Sequence, residues 1–445
     1  MREALYQAQS YFQRQPLHMK IAECLRETLR EGDASGLARV AAHYRAGGDG
    51  LKALCCEIEA LYWRTGRSCD IPSLAPADAP ASLPRTGETV EDEVKRLEQE
   101  LERLRRQLPP EERGTLGGPE RLLLCAKART MIYAGQYQEG LAVTDDLLRA
   151  LTPCAPEDTE LLLWVLRQRI TYHIKTDQAA PEYIVRGLEI AEESGLKRQR
   201  ACYLLLRGID FCKEGSYKSC DYFLRQALET IDHPERYPMF CAYVEAWQGE
   251  WKRRQKDFAG ACAFYQSAAD RTEGMDPWPG SGFLFACHAR AAMAMGDHEK
   301  ARLLLGRAMG AFAKTGELSG RGLTEAYTAY YAAQDGNYAR AVELLAASWD
   351  SASRLSSLVE QGIRDSVLAR LRRELDQNHI FDNELDRYLY RPLDIYCHRG
   401  MQRLRGVKGA YEFDELEDCL KYSIRQAKPL TVENLYSKNK NFMTE

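Results

Sequence analysis

The chain has little of what usually announces a function. Its 445 residues hold 61 Lys and Arg against 65 Asp and Glu, a formal net charge of -4. There is therefore no overall positive excess with which to hold nucleic acid or an anionic membrane. Purely apolar runs such as Leu161–Leu166 are short, against the roughly 18 residues that a membrane-spanning helix needs. The N-terminal stretch MREALYQAQSYFQRQ is amphipathic and lacks the apolar core of a secretion signal. Fourteen cysteines are scattered without a single CxxC, mostly among apolar neighbours, where a reduced thiol packs as a small hydrophobe. The expected setting is reducing and cytoplasmic.

Catalytic signatures are missing as well. There is no GxxxxGK[ST], no GxGxxG behind a strand, no GxSxG and no HExxH. Cys287-His288 and Cys397-His398 are adjacent pairs, but a zinc site needs about four ligands at workable spacing. Each pair reads as a buried cysteine beside a surface or turn histidine. Acidic runs such as Glu91/Asp92/Glu93 and Glu415/Glu417/Asp418 read as solvated faces. Basic clusters occur at Arg103/Arg105/Arg106, Lys252/Arg253/Arg254, Arg370/Arg372/Arg373 and Arg399/Arg403/Arg405/Lys408, and only the last lacks nearby acids. No catalytic residue, cofactor or metal is expected, and nucleic acid is not expected as a direct partner.

What is present is folded protein, 45% hydrophobic and 28% charged, with an internal period. Five segments share one phrase: a turn residue, a polar residue and an aromatic, then a small residue three positions on. They read GQYQEGLAVTDDLL from Gly135, GSYKSCDYFLRQAL from Gly215, KDFAGACAFYQSAA from Lys256, GDHEKARLLLGRAM from Gly296 and GNYARAVELLAASW from Gly336. From Gly215 onward the phrase recurs at a steady interval, and the first interval is twice as long. A degenerate unit is therefore expected near Lys175. The leading glycine suits a left-handed helix C-cap. The aromatics Tyr137, Tyr217, Phe258 and Tyr338 can wedge under a turn between antiparallel helices, with His298 as the exception. Small residues (Gly140, Cys220, Ala261, Ala301, Ala341) allow close approach. Leu224, Tyr265, Leu305 and Leu345, then Ala227, Ala268 and Ala308, continue one helical face.

This phrase resembles the turn and second helix of the tetratricopeptide repeat (TPR). Gly208 and Gly249 stand where that family favours glycine in the first helix, Ala128, Ala289 and Ala329 are small at the same place, and Phe211 matches an aromatic position. The resemblance covers about 119–352. It departs from the family in its period, near 40 rather than about 34, and in the displaced proline after the second helix. Longer units of this kind are also similar to the helical sensor arms of bacterial transcription activators and of peptide-pheromone receptors. The implied fold is all-α: a right-handed superhelical solenoid of antiparallel helix pairs.

The flanks divide into an N-terminal helical cap or divergent repeats (1–66), a Pro-rich linker plus amphipathic helix (67–118), a C-terminal helical cap (353–430) and a polar tail (431–445). A helix-turn-helix in the N-terminal part is disfavoured by its glycine-rich break and by a following helix too apolar to lie in a DNA groove. In the helix at 90–108, Val94, Leu97, Leu101, Leu104 and Leu108 form a two-heptad seam. That is too short for a free coiled coil, so it should dock on the repeat body or on a partner helix, or occupy the groove as an autoinhibitor.

Stacked hairpins leave surface rather than an active site. In the tetratricopeptide arrangement the first helices line the concave groove. Counting from the shared phrase places Cys202, Leu205 and Ile209; Tyr243, Glu250, Arg253 and Arg254; Phe283 and Arg290; and Leu323, Tyr330 and Gln334 there. Aromatics and arginines are the types that anchor interfaces. The expected function is a non-catalytic scaffold binding a peptide or protein segment in that groove. The alternative is a signal-sensing regulator, responsive to a peptide or small ligand and acting through a partner.

Overall fold

The computed structural model describes residues 11–69, 74, 89–151, 156–175, 180–355, 357–407 and 409–427. Among the described residues there are twenty α-helices, two short 3-10 segments and no strand. The helices pack as TPR-like antiparallel pairs, and the chain divides after Ser319 into two compact units.

In the first unit, α1 (Tyr11–Glu27) packs on the hairpin of α2 (Ala34–Ala46) and α3 (Gly50–Cys69), and α4 (Val90–Gln107) follows. Five further hairpins then run in order: α5 (Gly117–Tyr133) with α6 (Tyr137–Ala150), α7 (Pro156–Lys175) with α8 (Pro181–Glu193), α9 (Lys197–Glu214) with α10 (Tyr217–Thr230), α11 (Pro238–Arg254) with α12 (Phe258–Arg271), and α13 (Ser281–Ala294) with α14 (His298–Thr315). Each hairpin packs on the one before it. The pair α7/α8 is the degenerate unit expected near Lys175; its turn at 176–179 lies outside the described residues.

All five shared phrases are hairpin joints. Gly135, Gly215, Gly296 and Gly336 have φ of 83°, 77°, 80° and 75°, and Lys256 takes the same left-handed conformation. The second helix starts at Tyr137, Tyr217, Phe258, His298 and Tyr338 in turn. Asp257 and Asp297 add an N-cap, accepting from the backbone N–H of Gly260 and Lys300. The small residues do what their size allows. A Cβ on Gly208 would lie 2.8 Å from Leu224, and one on Gly249 would lie 2.6 Å from the Tyr265 ring. Cys220, Ala261, Ala301 and Ala341 are fully buried.

The seam of α4 docks on its own chain. Val94, Leu97 and Leu101 are buried with Leu54, Ile58 and Leu61 of α3 and with Leu123 and Ala126 of α5. Ion pairs Arg64–Glu93, Arg96–Glu57 (3.0 Å) and Lys127–Glu98 (2.7 Å) border the contact.

The second unit opens with the hairpin of α15 (Arg321–Gln334) and α16 (Tyr338–Leu355). The first-helix register then persists into α17 (Leu358–Asn378), where Gly362 stands one full period after Gly322. Its helical partner is delayed: α18 (Asn383–Tyr388) intervenes before α19 (Leu393–Leu404) packs on α17, and a Cβ on Gly362 would meet Leu404 at 2.7 Å. The phrase GAYEFDEL marks one more joint, with Gly409 at φ 73° and α20 (Tyr411–Ala427) packing on α19 and α17. Buried Asp365 of α17 is clamped by Arg399 and Arg403 of α19. No described helix is long and apolar enough to cross a membrane.

Glycine substitutions separate packing from propensity. Gly249→Ala should destabilise by about 1–3 kcal/mol, because the Tyr265 ring cannot yield. Gly306→Ala, on an exposed helical position with nothing within 4 Å of the new Cβ, should stabilise by about 0.5–1 kcal/mol. Urea unfolding of the two variants checks both signs.

Candidate functional site

The first-helix positions expected to line a groove form two kinds of environment in the first unit. On α9, Cys202, Leu205 and Ile209 are buried within the apolar core between hairpins. On α11, Glu250 is buried and gathers cations. Arg253 donates to it through Nε and Nη2, both at 2.9 Å, Arg254 donates through Nε at 2.9 Å, and the Tyr265 hydroxyl donates at 3.3 Å. The three- and four-residue spacings place all three charges on one face of α11. Burial alone would push the Glu250 carboxyl up. The guanidiniums of Arg253 and Arg254, with Arg290 of α13 behind them, outweigh it and hold it well below the usual carboxylate range. This cluster ties three helices together and leaves Arg254 half-buried; Tyr243 and Phe283 are half-buried too. The Phe283 ring lies 5.9 Å from that of Trp247.

In the second unit, Leu323 and Tyr330 are buried and Gln334 is exposed. Gln334 donates to the Tyr330 hydroxyl at 2.6 Å, which itself donates to Glu374 at 2.8 Å, with Arg370 over the Tyr330 ring.

His288 differs from the sequence expectation of a surface or turn residue. It is 1% exposed and lies against Tyr265 with ring centroids 5.7 Å apart, and neither ring nitrogen has a hydrogen-bond partner among the described residues. Burial first, then Lys300 and Arg307, push its pKa down to about 4. Among the described residues no group of three or more His, Cys, Asp or Glu side chains could hold a metal ion.

A cavity of about 460 Å³ lies in the first unit, where α3, α5 and α7 meet the entrances to α9 and α11. Tyr62, Trp63, Trp164 and Tyr237 supply aromatic walls. Arg129, 2% exposed, donates from Nη1 to the Tyr62 carbonyl at 2.7 Å and to Thr65 Oγ1 at 2.9 Å. Its guanidinium lies 4.8 Å from the Tyr62 ring centre and 5.2 Å from that of Trp164, a cation held between two π-faces. Gly66 makes room, since a Cβ there would come within 3.2 Å of Arg129 Nη1. Arg167 is buried on α7, its Nη1 at 3.9 Å from Cys202 Sγ. At the rim, Lys197 pairs with Asp232 at 2.9 Å and Arg198 with Glu31 at 3.0 Å. Trp164 is 2% exposed and its indole N–H has no hydrogen-bond partner among the described residues.

None of these cavity residues is among the groove positions picked out from the sequence, yet one signal was available. Arg129 follows Ala128 as Ile209 follows Gly208, Glu250 follows Gly249 and Arg290 follows Ala289. It therefore occupies the same register on the first helix of an earlier repeat. Trp164 and Arg167 belong to the degenerate unit, where the phrase that would set their register has diverged. Tyr62 and Trp63 come from α3, outside the array as counted.

Two outcomes follow. Glu250→Gln keeps the volume and removes the charge that Arg253, Arg254 and Arg290 surround, so urea unfolding should show a loss of about 3–5 kcal/mol. For His288 the folded-state pKa lies below the unfolded one. Its contribution is therefore whole above pH 6.5 and is lost as pH falls toward 4, an effect of about 3 kcal/mol. Stability against pH for the wild type minus that for His288→Leu should show this slope between those values.

No protein-family model matches the chain, and no curated protein matches it significantly. Structural similarity is found to a Rap protein complexed with Competence and Sporulation Factor, at 12% identity over 75% of this chain and 94% of that one, with a TM-score of 0.44. It is found also to a monomeric mutant of IFIT1 with Gppp-AAAA, at 14% identity over 93% of this chain and 95% of that one, TM-score 0.45. A third is a chain of the APC/C hetero-tetramer Cut9-Hcn1, at 12% identity over 96% of this chain and 85% of that one, TM-score 0.30. The repeats are TPR-like by the hairpin geometry of the chain itself.

Proposed function

We propose that this chain is a non-catalytic, cytoplasmic scaffold that holds a peptide or protein segment on the first-helix side of its repeats. The observation that carries the reading is the cavity of about 460 Å³, whose walls combine aromatic rings with guanidinium groups, the residue types that anchor protein interfaces. Its volume is in the range of built binding sites, and its lining comes from several elements rather than one loop. In this reading Tyr243, Arg254 and Phe283 offer contact surface on the first helices of the first unit, with Leu205, Ile209, Glu250, Arg253 and Arg290 as the wall behind them. In the second unit, taken by itself, Gln334 offers surface and Leu323 and Tyr330 are buried behind it. The thirteen described cysteines are all thiols, in keeping with a reducing compartment.

The reading is tested by placing a photo-crosslinking amino acid at Lys197, on the cavity rim, and at Leu303, 67% exposed on the second helix α14, then irradiating the full chain in native lysate. Polypeptide adducts should form from position 197 and not above background from position 303. Equal yields from both positions, or none from 197, would reject an inner-face scaffold.

A further inference from the structure

Resting on that scaffold reading, we propose that the cavity between α3, α5, α7 and the entrances to α9 and α11 receives an acidic peptide segment that carries an aromatic side chain. Two features converge on that chemistry. The walls are aromatic on several sides, with Tyr62 and Trp63 from α3, Trp164 from α7 and Tyr237 before α11. A ring inserted among them gains offset or edge-to-face contacts beyond its burial. The polar lining is unequal in sign: Arg129, Arg167, Lys197, Arg198 and Arg236 face Glu31, Glu160 and Asp232. The first turns of α9 and α11 add the positive ends of two helix dipoles.

The rim is arranged for exchange. The pairs Lys197–Asp232 and Arg198–Glu31 join side chains that are between 40% and 66% exposed, so each is worth little in water. A ligand carboxylate can take over Lys197 or Arg198 at small cost. The same three acids argue against a polyanion: an oligonucleotide would bring phosphates against Glu31, Glu160 and Asp232, whereas a peptide can place its carboxylates singly.

Fluorescence anisotropy on the full chain tests this with five labelled probes. Four are acetylated and amidated serine-based decapeptides: one with two spaced glutamates and one phenylalanine, one with two glutamates and one alanine, one with two lysines and one phenylalanine, and one with a single phenylalanine and no charge. The fifth is a ten-nucleotide single-stranded RNA. The acidic-aromatic peptide should bind at least about tenfold tighter than each of the others. Lys197→Glu combined with Arg236→Glu, both on exposed positions, should abolish that preference while the melting temperature is unchanged. An equal or greater affinity for the basic, neutral or alanine peptide, a preference for RNA, or no binding of any probe overturns the proposal. If crosslinking from position 197 still captures polypeptide, only the ligand chemistry falls; if that fails too, the scaffold reading falls with it.

Discussion

The close approach of paired helices at residues with little or no side chain governs the structure. Gly208 against Leu224 and Gly249 against the Tyr265 ring leave no space for even a methyl group, and Cys220 and Ala261 across the turns of those hairpins are buried, as are Ala301 and Ala341 at the same position of later ones. A helix pair joined this tightly has a fixed angle, and its unshared apolar face can be covered only by the next pair. The left-handed residue opening each shared phrase is the second half of the same constraint, since it reverses the chain within the few residues that such proximity permits.

Tight packing also explains where the charges sit. Glu250, Arg253, Arg254 and Arg290 are on first helices, whose surroundings are more enclosed than those of second helices. Burying a carboxylate there is tolerable only because guanidinium groups reach it from its own helix and from the next hairpin. The same enclosure strips His288 of solvent. Similar logic recurs at the entrances to first helices. The backbone N–H of Gly280 donates to buried Glu317 at 2.9 Å, and that of Gly320 to buried Glu360 at 2.7 Å. In both cases a carboxylate caps a turn held open by a glycine of positive φ.

The cavity depends on a different kind of proximity. It needs the end of α3, the middle of α5 and α7, and the entrances to α9 and α11 in one place, a gathering of segments from Glu31 to Tyr237. Arg129 is the hinge of that arrangement, because it binds the Tyr62 carbonyl and Thr65 of α3 while lying under Trp164 of α7. The aromatic residues around it are ordinary helix residues when read one segment at a time.

The helical class, the register of the repeat and the position of every hairpin joint bearing the shared phrase were determined by the sequence itself. Local chemistry is enough for these: a glycine that tolerates positive φ, an aromatic that opens the next helix and a small residue one turn on. The docking of the α4 seam was legible for a similar reason, since five apolar residues at spacings of three and four require a cover. Only the tertiary structure decided that Glu250 and His288 are enclosed, that α17 keeps the first-helix register beyond the last full phrase, and that α3 joins Arg129 and Trp164 around a cavity. Those outcomes depend on which hairpins meet across long separations in the chain. A repeat period says which neighbours touch but not what encloses a given side chain.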